Sequence, residues 1–352
     1  MIVEEAKEYL LGTNKINFDK VIDEAAAIHN SFTNYSLDWT SDAPIYMDND
    51  SNLCFHAAGR KNAKKTDVTK YALSQAASVW GIPSRYIIDL YDKDMGALAV
   101  KNINELNAYN AAHDRHVNMK AMVSEGVTEA VVSNRFATNF PVCDVLDTVR
   151  NSIELDRYIP NQVFLSKSKM HIRFVDFDHK EKVNGEDMTV GFTVDSSDVG
   201  KSALRVQFFI YKFSCQNGIV MVGESTKGGR MAGTLYRQKH LGEAFDIDSI
   251  EEFKASFDAI KDLRENGLDL VAQSQSRMMS VNEMHRILDA SRKNYVSVSD
   301  TEREKIIDFA TAKYGHSKWG LINGITEVAQ DHTLDNRIAY EVWAGHLLQQ
   351  AM

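Results

Sequence analysis

Four basic side chains fall at alternate positions of "LSKSKMHIRF", residues 165–174. Alternate side chains of an extended strand point to opposite faces. One face then carries Lys167, Lys169, His171 and Arg173, and the other Ser166, Ser168, Met170, Ile172 and Phe174. No acid interrupts the cationic row, and the chemistry such a row offers is neutralisation of phosphate. Lys201 and Arg205 follow in the next β-rich run, "VDSSDVGKSALRVQFF". A second basic stretch, "GESTKGGRMAGTLYRQKHLG", sets Lys227, Arg230, Arg237, Lys239 and His240 against Glu224 alone. Its five glycines, Gly223 to Gly242, allow close approach of backbone to ligand, and Tyr236 could stack a base. The functional expectation is a groove tracking a nucleic-acid backbone. The bland alternative is a solvated loop whose cations balance acidic helices elsewhere. No GxxxxGK[ST] or strand-following GxGxxG motif is present.

Other constellations are weaker. His113 and His116 in "HDRH" miss the i, i+4 spacing of a zinc helix, and His316, His332 and His346 lie far apart. Asp176 and Asp178 share a strand face and admit a two-carboxylate metal site, although a strand end entering a turn explains them better. Ser196 and Ser197 have no nucleophile elbow around them. No nucleophile, base and orienter set stands out, so no cofactor, metal or catalytic residue is expected. The tryptophans Trp80, Trp319 and Trp343 read as packing residues.

The elements that must position these cations follow from periodicity. Residues 1–30 read as helix, "TDVTKYALSQAASVWG" as a helix capped by Thr66 or Asp67, and "HVNMKAMVSEGVTEAVVSNRF" as a hairpin. "PVCDVLDTVRNSIEL" reads as helix, "MTVGFTVDSSDVGKSALRVQFFIYKFSCQNGIVMV" as strands, and the chain from Ser249 onward mainly as helices. The fold class is α+β, an antiparallel β-rich central sheet with flanking helices. Three regions result: a helical N-terminal region over 1–110, a central α+β domain with the basic sheet over 111–290, and a C-terminal helical region over 291–352. Charge follows this division. Residues 161–242 hold twelve Lys and Arg against eight Asp and Glu, in a chain of net charge -9. The 352 residues are 44% hydrophobic, with no apolar run long enough for a membrane helix. The acidic start lacks a signal-peptide pattern, and Cys54, Cys143 and Cys215 form no pair motif, so a cytoplasmic protein with reduced thiols is expected.

Several segments, taken in order, resemble one family. They are Gly81-Ile82-Pro83 with Tyr86, then Ser197-Asp198-Val199-Gly200 with Ser202, Ala203 and Leu204. Cys215, Asn217 and Gly218 follow, and last Trp319, Asn323, Thr326 and Glu327. The set is similar to DUF family 932, a phage- and plasmid-encoded family of unknown function, with Gln216 and Asp198 departing from its pattern. The resemblance implies a mobile-element origin in a bacterial host and no particular activity. The order of helix, antiparallel strands and long helix is more distantly similar to the β-β-β-α core of Rad52- and RecT-like single-strand annealing proteins. That similarity implies a non-catalytic protein that holds single-stranded DNA by its phosphates and assembles into a homo-oligomeric ring or filament. The alternatives are a module that binds a host protein, as an anti-defence factor would, and a metal-dependent nuclease using Asp176 or Asp178.

Overall fold

The computed structural model describes residues 7–10, 16–37, 45–47, 53–56, 65–79, 81–113, 119–133, 135–137, 139–183, 185–213, 217–221, 234–240, 245–291 and 296–350. The elements of the N-terminal half run β1 (Lys7–Leu10), α1 (Phe18–Ser31), β2 (Phe32–Leu37), β3 (Ile45–Met47), β4 (Leu53–His56), β5 (Lys65–Val68), α2 (Lys70–Val79), α3 (Ser84–Asp92), α4 (Gly96–Ala112), β6 (Met119–Ser124), β7 (Val127–Ser133) and α5 (Val142–Ser152). Then come β8 (Tyr158–Leu165), β9 (Met170–Asp176), β10 (Glu181–Val183), β11 (Glu186–Ser196), β12 (Leu204–Lys212), β13 (Asn217–Val220) and β14 (Thr234–Gln238). The chain closes on α6 (Ile247–Ala255), α7 (Ala259–Ser276), α8 (Val281–Ser291), α9 (Asp300–Tyr314), α10 (Lys318–Val328) and α11 (Leu334–Gln349). The α+β class with an antiparallel sheet and flanking helices is what the patterning predicts.

The strands form two sheets. The larger has the order β1-β8-β9-β11-β12-β13, with β10 on β11 and β14 beside β13 on the same edge of β12. All its pairings are antiparallel. Strict alternation sorts its faces. Ile172, Phe174, Phe192, Val194, Val206 and Phe208 point into the main core with α1, α5, α6 and α7. Phe174 stacks on Phe192 at 4.8 Å and takes the edge of Phe18 at 5.4 Å. The opposite face carries Arg173, Thr193 and Gln207 in one rank and Val175, Gly191, Phe209 and Val220 in the next. Helix α11 lies on that face, brought close by Gly345. A Cβ there would stand 1.9 Å from the Val220 carbonyl oxygen.

The smaller sheet has the order β2-β6-β7-β5-β4-β3, with β5 parallel to β7. It packs against α2, α3 and α4 through Leu73, Ile87, Ile103 and Val131. The β6–β7 hairpin expected from the sequence is present and turns at Glu125 (φ 53) and Gly126 (φ 87), the left-handed pair of a type I′ turn.

Three expectations are corrected. Residues 1–110 are not purely helical: they supply β1 to β5, and the boundary expected at 110 divides a sheet that takes β2 to β5 from one side and β6 and β7 from the other. The reason is that strands as short as β3 and β4 leave little alternation to read. Helix α2 starts at Lys70 rather than near Thr66. Thr69 Oγ1 accepts from the Ala72 N–H at 3.0 Å, while residues 65–68 extend as β5. The segment 165–174 is a hairpin, not one strand: β8 ends at Leu165 and β9 begins at Met170. Ser166 Oγ accepts from the backbone N–H groups of Ser168 and Lys169, and that local bonding turns the chain at the two lysines.

Candidate anion-binding cleft

The cationic row read from the sequence splits at this hairpin. Arg173 is interior, 1% exposed, and its guanidinium makes a two-pronged pair with Glu341 of α11, itself 0% exposed. It also lies 5.2 Å from the Phe209 ring centre. Arg173 therefore cannot reach a phosphate, and its place in the expected site is corrected: α11 roofs that part of the face and supplies the counter-charge. Lys167 bonds Glu125 at 2.7 Å and approaches Glu129 at 3.8 Å, tying the β8–β9 turn to the β6–β7 turn. That contact holds the Glu125 carboxyl below its usual range. Tyr236 is also misplaced by the sequence reading. It is buried, its hydroxyl donates to the Ser249 carbonyl at 3.1 Å and its ring meets Phe253, so it stacks in the core. Burial pushes its hydroxyl up to about 12. Lys227 and Arg230 lie outside the described residues.

Five of the expected residues do converge. Lys169, Lys201, Arg205, Arg237 and Lys239 line one cleft of about 540 Å³, with Asp195 and Asp335 as its acids. One rank across three strands builds its floor, Asp195 in β11, Arg205 in β12 and Arg237 in β14, and buried His171 of β9 extends the same rank behind Asp195. Arg205 and Arg237 stand directly opposite each other, an arrangement that destabilises a bare sheet and favours an anion between them. Arg205 Nη1 donates to Gln207 Oε1 at 3.3 Å, while its buried Nε has no partner. Lys169 Nζ pairs with Asp335 Oδ1 at 2.7 Å on the first turn of α11. Lys201 reaches Ser168 Oγ at 3.3 Å. Arg237 and Lys239 are exposed and have no acidic partner among the described residues.

The two acids are themselves committed. His171 Nδ1 lies 3.0 Å from Asp195 Oδ1, with both residues buried. Burial alone would raise the Asp195 carboxyl. His171, Lys169 and Arg205 together outweigh it and hold the carboxyl below its usual range. Asp335 is treated alike: burial raises it, and the bond from Lys169 with the charges of Lys201 and His171 brings it down. Both therefore stay ionised at neutral pH, and the cleft keeps a surplus of positive charge.

A second pocket of about 450 Å³ adjoins the first and shares Gly200, Ser202, Ala203 and Lys239 with it. Its remaining lining comes from α2 (Tyr71, Ser74, Gln75, Ser78), from β7 and its sequel (Val131, Val132, Ser133, Phe136), and from His240. The turn between the pockets depends on Gly200, whose φ of +80° and 2.7 Å Cβ approach to the Phe136 ring exclude a side chain. Gln75 fixes the far wall: its amide donates to the Tyr71 hydroxyl at 2.9 Å and accepts from the Val131 N–H at 2.9 Å. His240 stacks on Phe136 at 5.4 Å. Burial lowers its imidazole, against the Asp198 charge and a hydrogen bond to the Ala137 backbone. Nothing in the sequence marks Tyr71, Gln75 or Phe136 as site residues, and the hint it offers of this pocket is His240 beside Lys239.

Asp176 and Asp178 do not join this site. Asp176 is buried and accepts two bonds from Arg157, at 3.0 and 2.8 Å, and one from the Asp178 N–H. It closes the turn after β9. Among the described residues no group of three or more His, Cys, Asp or Glu is placed to hold a metal. Among them, too, no helix is long and apolar enough to cross a membrane. Compared with known protein families, with curated proteins and with solved structures, the chain matches none.

Proposed function

We propose that the protein binds single-stranded DNA without catalysis, holding its phosphates in the cationic cleft and promoting strand annealing as a homo-oligomer, in keeping with the phage-like resemblance. One observation carries the reading. Five cations from three separate stretches of chain meet around one opening, two of them arginines that face each other across paired strands. Such a set is suited to a chain of phosphates rather than to a carboxylate, because several charges are neutralised together. The site is smaller than the full basic face that the sequence suggests, so a strand would pass over the cleft and not along the sheet.

Binding of labelled single-stranded DNA across a salt series, with particle size measured on the same sample, tests this. For single strands log K falls with log salt by roughly 0.7 for each phosphate neutralised. Exchanging Lys201, Arg237 and Lys239 together for glutamine should reduce that slope by about 2 and weaken binding throughout. Retention of the full slope in the triple variant would move the strand elsewhere. No binding even at low salt would end the reading and direct attention to a host protein as the partner.

A further inference from the structure

We infer that the pocket beside the cationic cleft receives one unstacked base of the bound strand, so that a single nucleotide straddles the Gly200–Ala203 turn. This rests on the reading above and adds to it the part of the ligand that carries no charge. The two cavities share Gly200, Ser202, Ala203 and Lys239, so a phosphate seated among the cations leaves its own base at the mouth of the second pocket. At about 450 Å³ that pocket is within the roughly 300–1,000 Å³ of small-ligand sites. Half-buried Tyr71 offers ring surface for stacking, with the Phe136–His240 stack as an apolar wall, and proteins that hold single strands combine such surface with a cationic track.

Two polar atoms at the pocket await partners. Ser202 Oγ and His240 Nε2 are both buried and make no hydrogen bond, and His240 is only 6% exposed. Buried polar atoms are seldom left in that state. His240 Nε2 can accept or donate according to the tautomer, and Ser202 Oγ can do both. A ring nitrogen and a hydroxyl at the edge of an aromatic-lined pocket suit the amino and imino groups of a base edge, and a bare sugar-phosphate has none of these.

The test compares the full-length protein's affinity for a short single-stranded oligonucleotide with that for the same backbone made abasic throughout. The expected result is at least about fivefold weaker binding of the abasic strand, the scale of one stacked base, with the salt slope unchanged. The double variant Ser74→Leu with Ser78→Leu fills the pocket from α2 and leaves every cation in place. It should erase the difference between the two strands while keeping the salt slope and the melting temperature. Equal affinity of the wild type for both strands would overturn the base pocket and leave the cationic cleft standing. A difference that survives the double variant would overturn it too, by placing the stacking elsewhere. Failure of both strands to bind at low salt would overturn this inference and the proposal beneath it together.

Discussion

The polar face of the larger sheet has two ends, and the same residue types have opposite fates at each. At the Arg173 end, α11 closes over the sheet and answers the guanidinium with Glu341. On the core face of the same sheet, Lys212 of β12 meets the same fate as Arg173, buried and enclosed by Glu186, Tyr314 and Asn323. At the Arg205 end, Arg237 and Lys239 look into an open cleft. Both ends carry alternate cations on antiparallel strands. What differs is the element packed above: a buried cation paired with an acid holds two elements in register, whereas an exposed one is available to a ligand. A strand pattern therefore shows which face a cation is on and leaves open whether that face meets protein or solvent.

The most severe way to probe this contrast is Arg173→Ala, which takes the two-pronged partner from buried Glu341 and leaves it only the 3.4 Å contact from Arg337. The expected cost is about 3–5 kcal/mol, read as a fall in the urea midpoint at constant slope. Arg173→Met with Glu341→Leu should recover most of it, because an apolar pair of similar size avoids the unpaired charge. At the open end, Arg237→Gln should change stability by no more than about 0.5 kcal/mol. Similar costs at the two ends would break the distinction. Gly345→Ala comes next in size. Its added methyl meets the Val220 carbonyl at 1.9 Å, so α11 must lift from β13, at about 1–3 kcal/mol. If α11 does roof Arg173 through this contact, the variant should also speed amide exchange in β13. Unchanged stability and exchange would mean that the helix is not seated there.

Much of this was legible from sequence, and the residues show where legibility stopped. Ile172 and Phe174 alternating with His171 and Arg173 gave the two faces of β9 correctly, because that alternation is local. The partner of Arg173 lies 168 residues away, and no local pattern announces it. Tyr236 between Leu235 and Arg237 fits a stacking platform or a core ring equally well in sequence, and only its bond to Ser249 decides for the core. The cleft was half legible. Its cations Lys169, Lys201, Arg205, Arg237 and Lys239 stand out in the sequence, while the pocket beside them draws Tyr71, Phe136 and His240 from three distant stretches. A site of that kind exists only after the small sheet and the large one meet.

The smallest expected effect sharpens the comparison through two histidines with opposite proton linkage. His29 on α1 lies 3.2 Å from Asp198, whose other oxygen accepts from the Val142 N–H at 2.8 Å and so caps α5. The hydrogen bond to Asp198 raises the His29 imidazole above its ordinary 6.5, with burial opposing. The native state then holds that proton more tightly than the unfolded chain does. Its contribution is fully present below pH 6.5 and is lost as pH rises through the higher folded value. His240 runs the other way, since burial in the pocket wall lowers it. Between its folded value and 6.5 the unfolded chain binds a proton that the native state refuses, so stability falls as pH drops through that window. His29→Gln should therefore cost more at about pH 5.5 than at about pH 8, by roughly 0.5 kcal/mol or less for a part-exposed pair. His240→Gln should flatten the acid side of the stability curve. Parallel curves for wild type and His240→Gln would show that the pocket admits water freely to Nε2. The atom would then be solvated already, and a base would gain little by bonding it.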